Sequence, residues 1–150
     1  ERDEVVVEGT EDVVLAPHTV WHEYQFKGKP GDVRRRPPQC APYHLRLDWL
    51  MWFAAMSSPV YHPWFVPFVA KLLEADPATL ALLRDDPFDG RRPRFVRARL
   101  YRYRYTTPDE RRESGAWWHR ELQDEYLRPV SFASGTFQRG RDATSGAAGP

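Results

Sequence analysis

A chain of 150 residues is the usual size of one domain and can bury about two thirds of the surface it exposes when unfolded. Twenty-two basic against 21 acidic residues give a net charge of +1, which argues against a protein devoted to nucleic acid or anionic membranes. The lone Cys40 excludes an intrachain disulfide and leaves the redox compartment open.

Six Trp, seven Tyr and eight Phe supply one apolar core. Nearly all the basic residues are Arg, with Lys only at Lys27, Lys29 and Lys71, a preference that fits either a GC-rich genome or interface chemistry. The chain carries no signal peptide and no transmembrane run. It opens at Glu1, without Met and already in strand-like sequence, and so reads as a piece of something longer.

Glu4 to Glu8 (EVVVE) is a short β-branched run closed by Gly9, and Val20 to Phe26 (VWHEYQF) alternates as a strand. The two are expected to pair as an antiparallel ribbon. Lys27 to Pro38 (KGKPGDVRRRPP) combines Gly, Pro and charge and marks a surface loop. Asp48 is placed to cap a helix, with Leu47 stapling onto Trp52; from Trp49 to Met56 only Leu, Met, Trp, Phe and Ala occur, so this helix is expected to be largely buried. It is far too short to cross a bilayer, which needs about 20 apolar residues.

Pro63 to Ala75 reads as a second helix that either starts late or kinks at Pro67. Asp76 and Pro77 form an N-cap and N1 pair opening a third, through about Arg84, with Leu80 and Leu83 inward. Arg94 to Tyr105 (RFVRARLYRYRY) is the strongest strand; its apolar parity changes at Tyr101, so a bulge near Leu100 and Tyr101 is expected to keep both sets facing inward. Thr106 to Gly115 reads as a charged loop. In Trp117 to Val130 the spacing of Trp118, Leu122 and Tyr126 fits helix and strand alike; composition favours helix, while Gly115 and Pro129 suit a terminal strand. Residues 134–150 are Gly, Ser and Ala-rich, and a disordered tail is expected there.

Three chemistries are weighed against blander explanations. His18, His22 and Glu23, with His44 and Asp48, have i,i+4 spacings that suit zinc on a helix, but on a strand that spacing separates the first pair by about 13 Å, so no metal site is expected. Ser, His and Asp are present without a G-x-S-x-G elbow, and paired carboxylates such as Asp85 and Asp86 sit in a turn, so no enzyme is expected. The Arg and Tyr alternation of residues 94–105 would suit single-stranded nucleic acid, but an amphipathic strand explains it as well.

The stretches VVVEGTED, WHEYQFKGKPGDVRRRPPQCAPYHLRLDWLMWFAAM, HPWF, RARLYRYRYTT and GAWWHRELQDEYLRPVSF, in that order, resemble the C-terminal part of the lipase maturation factor family over about residues 1–133. The resemblance implies a multi-pass membrane protein, delivered by upstream segments, that helps dimeric lipases fold and assemble. It implies the endoplasmic reticulum membrane for animal relatives and the cell membrane for a bacterial one, which the Arg-rich composition suggests. No catalytic residue and no cofactor is carried over with it.

The fold class expected is α+β: an antiparallel sheet or sandwich over residues 1–133, with a helical insertion at about 48–84. The function expected is a non-enzymatic folding factor that binds a lipase-like client through Arg34, Arg35, Arg36, Trp117 and Trp118, because Arg and Trp are enriched at interface hot spots. The bland alternative has both Trp in the core and the Arg loop solvated. The competing classes are a β-sandwich module for a glycan or lipid headgroup, betrayed by an aromatic-lined pocket, and single-stranded nucleic-acid binding.

Overall fold

The computed structural model describes residues 1–27, 30–36, 46–133 and 136–139. In chain order the strands are β1 (Arg2–Thr10), β2 (His22–Glu23), β3 (Gln25–Phe26), β4 (Leu83–Asp85), β5 (Phe95–Tyr105), β6 (Trp118–Ala133) and β7 (Thr136–Arg139). The helices are α1 (Arg46–Ala54), α2 (Phe65–Glu74), α3 (Pro77–Leu80) and α4 (Pro108–Ser114). A five-stranded antiparallel sheet of order β2-β1-β5-β6-β7 and a separate β3-β4 ribbon make the arrangement α+β. The ribbon expected between the first two strand runs forms, with Glu8 opposite Glu23 and Gly9 opposite His22. Gly9 is required there, because a β-carbon would lie 2.8 Å from the Phe88 ring.

Side chains directly opposite across an antiparallel pair share a face. The register of β1 on β5 therefore puts Val5, Val7, Ala98 and Leu100 on one face and Val6, Tyr101 and Tyr103 on the other. The first face carries the main core: Met51, Ala54 and Ala55 at α1, then Phe65, Phe68, Val69, Leu72 and Leu73 along one side of α2. The second carries a smaller cluster of Val6, Tyr103 and Trp118, flanked by Val33, Tyr101 and Trp117.

This corrects the expectation that a bulge would turn both sets of β5 residues to one side. A register shift does fall between Leu100 and Tyr101, but the extra residue belongs to β6, where Asp124 and Leu122 are the successive partners. Strand β5 stays in step with β1, so the tyrosines bury on the opposite face, beneath a cover of their own.

The segment Trp117 to Val130, for which composition favoured helix, is strand β6 from Trp118 onward. Pairing along β5 satisfies its backbone and outweighs the local preference. Helix α1 begins at Arg46 rather than after Asp48, because Arg46 and Leu47 join the first turn. Asp48 is thus a buried first-turn residue, where its carboxylate still meets the positive end of the helix dipole. Nor is α1 buried all round: Met51 is enclosed, Trp52 half-buried and Phe53 38% exposed, and Met56, just past its end, is 60% exposed.

Helix α2 takes the late start, with Pro67 in its first turn, where the missing N–H has no intrahelical partner to lose. Asp76 caps α3 by accepting from the Thr79 amide at 3.0 Å, as read from sequence, but the helix stops at Leu80. Leu83 turns instead to pair with Phe26 in the β3-β4 ribbon. The loop expected over residues 106–115 holds helix α4, opened by a capping box between Thr107 and Glu110. Within the stretch expected as a disordered tail, Thr136–Arg139 pair with β6 as strand β7; residues 134–135 and 140–150 lie outside the described residues.

Candidate functional site

The second face of the sheet is covered by residues 30–36, and polar contacts fix that cover. The Tyr103 hydroxyl donates to the Gly31 carbonyl at 2.6 Å and accepts from the Arg120 guanidinium at 3.0 Å; Arg120 also donates to Glu23 at 2.5 Å. Burial pushes the Tyr103 phenol up, so it stays a neutral donor. Burial works against the Arg120 charge, but the bonds to Glu23 and Tyr103 prevail and hold it protonated. The Val33 carbonyl takes both the Trp117 and Trp118 amides, at 2.8 and 3.0 Å, which ties the loop to the start of β6.

That tie brings three of the five sequence-derived contact residues to one surface. Trp117 is half-buried, with the Arg36 guanidinium 5.8 Å and the Arg111 guanidinium 4.1 Å from its ring centre. Arg34 is exposed and its guanidinium reaches over Gly115, whose φ of 73° at the C-cap of α4 is the left-handed conformation that favours glycine. With the described residues, Arg34 and Arg36 make no ion pair. The other two serve the fold. Arg35 donates to the Phe26 and Lys27 carbonyls at 2.6 and 2.7 Å.

Trp118 is 5% exposed, stacked on Tyr105 at 4.5 Å and edge-on to Tyr103 at 5.8 Å. Its indole N–H has no hydrogen-bond partner among the described residues, a cost that the stacking must exceed. Sequence reasoning missed Arg111, although the T-x-x-E spacing of Thr107 and Glu110 carried the signal: it opens a helix that sets Arg111 against Trp117.

The alternation of β5 does not form a stacking platform. Tyr103 is enclosed and Tyr101 half-buried, while Arg97, Arg102 and Arg104 pair with Glu8, Asp3 and Glu110 at 2.8, 2.9 and 2.9 Å. A hollow of about 410 Å³ beside the cover is lined by Trp21, His22, Glu23, Gln25, Asp32 and Arg120, among others. It offers one tryptophan, whose ring lies under Arg97 at 4.0 Å, and is not the aromatic-lined pocket that a glycan module calls for. Among the described residues no group of three or more His, Cys, Asp or Glu converges for a metal; His44 lies outside them, as does Cys40. No described helix is long and apolar enough to cross a membrane.

A five-stranded sheet with one helix-packed face and one loop-covered face defines an α+β domain, with Trp117 held between the Arg36 and Arg111 guanidiniums at the rim of the cover. Residues 1–128 match the family described as the lipase maturation factor C-terminal domain, and the chain belongs to that family. It is 46% identical over 134 residues to lipase maturation factor 1 of Bos taurus, with 87% of this chain and 24% of the relative aligned. The human lipase maturation factor 1 gives 45% over 135 residues, covering 88% of this chain and 24% of the relative. Lipase maturation factor 2 of Mus musculus gives 37% over 141 residues, with 91% and 19% covered. The chain thus spans about a quarter or less of these relatives' length. They are vertebrate proteins and lend no support to the bacterial origin suggested by the Arg content. No solved structure matches the chain.

Proposed function

We propose that this domain is the client-contacting, non-enzymatic part of a folding and assembly factor for dimeric lipases. The observation that supports the reading is the family match over residues 1–128. On this reading the parent is a multi-pass membrane protein of the endoplasmic reticulum, its upstream helices hold the domain at the membrane, and no cofactor, metal or nucleic acid takes part. Contact runs through Trp117 with Arg34 and Arg36, a ring and two guanidiniums available to carboxylates and backbone carbonyls of a client. Arg35 and Trp118 hold that surface in place from beneath.

The test is secretion. The parent protein is expressed with a dimeric lipase in cells lacking their own maturation factor, and lipase activity and dimer content of the medium are measured. The parent is expected to restore both, and a Trp117→Ala, Arg36→Ala form present at the same level is expected to restore less than half. Equal rescue by the two forms removes the contact surface, and no rescue by the unmodified parent removes the lipase role.

A further inference from the structure

The Trp117 patch is richer in cations than in acids. Arg111 and Arg36 stand 4.1 and 5.8 Å from the centre of the ring, and the Arg34 guanidinium reaches over Gly115, two residues earlier in the chain. None of the three has an ion pair among the described residues. The carboxylates of the two elements that build the patch are engaged elsewhere. Asp32, on the cover, accepts from the Arg34 amide at 2.9 Å; on α4, Asp109 pairs with Arg112, Glu110 pairs with Arg104, and Glu113 lines a hollow with Trp118 and His119.

The rest of the sequence offers little counter-charge. Residues 37–45, which follow Arg36 and lie outside the described residues, read PPQCAPYHL and contain no Asp or Glu. Beyond the described residues the chain has one acidic side chain, Asp142. Three guanidiniums on one surface therefore make a local positive field in a chain whose net charge is only +1.

Guanidinium chemistry and spacing define what fits that field. A guanidinium lying on an indole ring keeps its N–H edge for a carboxylate, which it takes through two parallel hydrogen bonds as an ammonium cannot. Arg34 over Gly115 and Arg36 over Trp117 stand above positions two residues apart, at most about 7 Å along the backbone. In an extended peptide the side chains of one face recur every second residue, again at about 7 Å. Carboxylates at alternate positions of an extended segment match the two guanidiniums.

Resting on the client-contact reading above, we propose that the patch takes up an extended acidic segment of the client, with carboxylates at positions i and i+2 held by Arg34 and Arg36. Arg111 fixes the Trp117 ring beside them and adds to the field.

The test uses the 150-residue chain and a labelled nine-residue peptide with Glu-Ser-Glu at its centre and neutral flanks, with affinity read by fluorescence anisotropy. A Gln-Ser-Gln form is expected to bind at least tenfold more weakly, and a Glu-Glu-Ser form at least threefold. Arg34→Gln with Arg36→Gln is expected to lower affinity for the Glu-Ser-Glu peptide at least tenfold, whereas Arg112→Gln, on the same face of the molecule's charge but paired with Asp109, leaves it unchanged. Arg34→Glu with Arg36→Glu is expected to turn the preference to Lys-Ser-Lys, a gain that a misfolded variant could not show. Equal binding of the Gln form, indifference to carboxylate spacing, no effect of the double variants, or no binding would each overturn the proposal. Tighter binding in Asp142→Asn would mean that the chain's own tail fills the patch, and an oligonucleotide that competes as well as the peptide would mean that the patch reads phosphate; either overturns a client segment as the occupant. The two readings fail separately. A patch indifferent to carboxylates overturns the acidic segment while secretion still decides the contact surface, and failure of the unmodified parent in secretion removes the lipase role while the peptide still decides the chemistry of the patch.

Discussion

Adjacent tryptophans with the same chemistry have different duties, and substitution separates them. Trp118 is enclosed between Tyr105, Tyr103 and Val6, so Trp118→Ala is expected to cost about 3–5 kcal/mol as a buried aromatic truncation. Trp117→Ala removes a half-buried ring under two guanidiniums and is expected to cost about 1 kcal/mol. Chemical denaturation of both variants checks the ordering, and equal losses would put Trp117 in the core. Glu110 gives a second residue-scale outcome. Hydrogen bonds from the Arg104 side chain first and the Thr107 amide second lower its carboxyl from the ordinary 4.5 to about 2. A group depressed on folding stabilises fully above its unfolded value and loses that contribution as pH falls through the folded one. The melting temperature of the unmodified chain should therefore converge on that of Glu110→Gln between about pH 4.5 and 2; a gap that stays constant over this range excludes the ion pair as the cause.

Among the elements, the cover over residues 30–36 depends on a few polar ties. Tyr103→Phe keeps the ring and deletes the hydroxyl that joins Gly31 to Arg120, so it is expected to cost about 1–2 kcal/mol and to raise amide exchange at residues 31–36 while leaving α2 unchanged. Uniformly faster exchange across α2 as well would mean that the cover and main core open together. This cover also marks where sequence reading ends. β1, β2, β5 and α2 were legible because their periods are intact: Phe65, Phe68, Val69, Leu72 and Leu73 repeat at helical spacing, and RFVRARL alternates. β6 was not, since Trp118, Leu122 and Tyr126 fit either period and register shifts opposite β5 break its alternation further. The second buried face was invisible for a related reason: Val6 and Tyr103 are placed there by pairing over a long sequence separation, which no local pattern records. Of the candidate site, Trp117 with Arg34 and Arg36 was read from residue type alone. That signal could not tell Arg35, spent on two carbonyls, from its neighbours, and it could not anticipate Arg111.

At the scale of the whole molecule, near neutrality conceals how the charge is spent. Three of the four arginines of β5 face carboxylates brought from elsewhere: Arg97 meets Glu8 and Arg102 meets Asp3, both on β1, and Arg104 meets Glu110 on α4, while Arg99 lies over the Tyr101 ring. The two exposed pairs contribute little stability each and Arg97–Glu8 is largely buried, but together they leave few free cations on the strand most reminiscent of a nucleic-acid reader. Nucleic-acid affinity rises with the number of phosphates neutralised and falls steeply with salt, and base stacking needs exposed rings. Here Tyr103 is enclosed, Tyr101 is half-buried, and Tyr105, though 59% exposed, already stacks one face on Trp118, so β5 presents no run of open rings. Two further guanidiniums without an ion pair among the described residues, Arg34 and Arg36, lie near Trp117 rather than on β5. The 150-residue chain is therefore expected to bind single-stranded oligonucleotides no tighter than about 100 μM at physiological salt, in the range of non-specific association. Fluorescence anisotropy across a salt series measures it. Sub-micromolar binding that survives physiological salt would mean that the ion pairs of β5 open to admit phosphate, and would return the Arg and Tyr strand to the nucleic-acid reading.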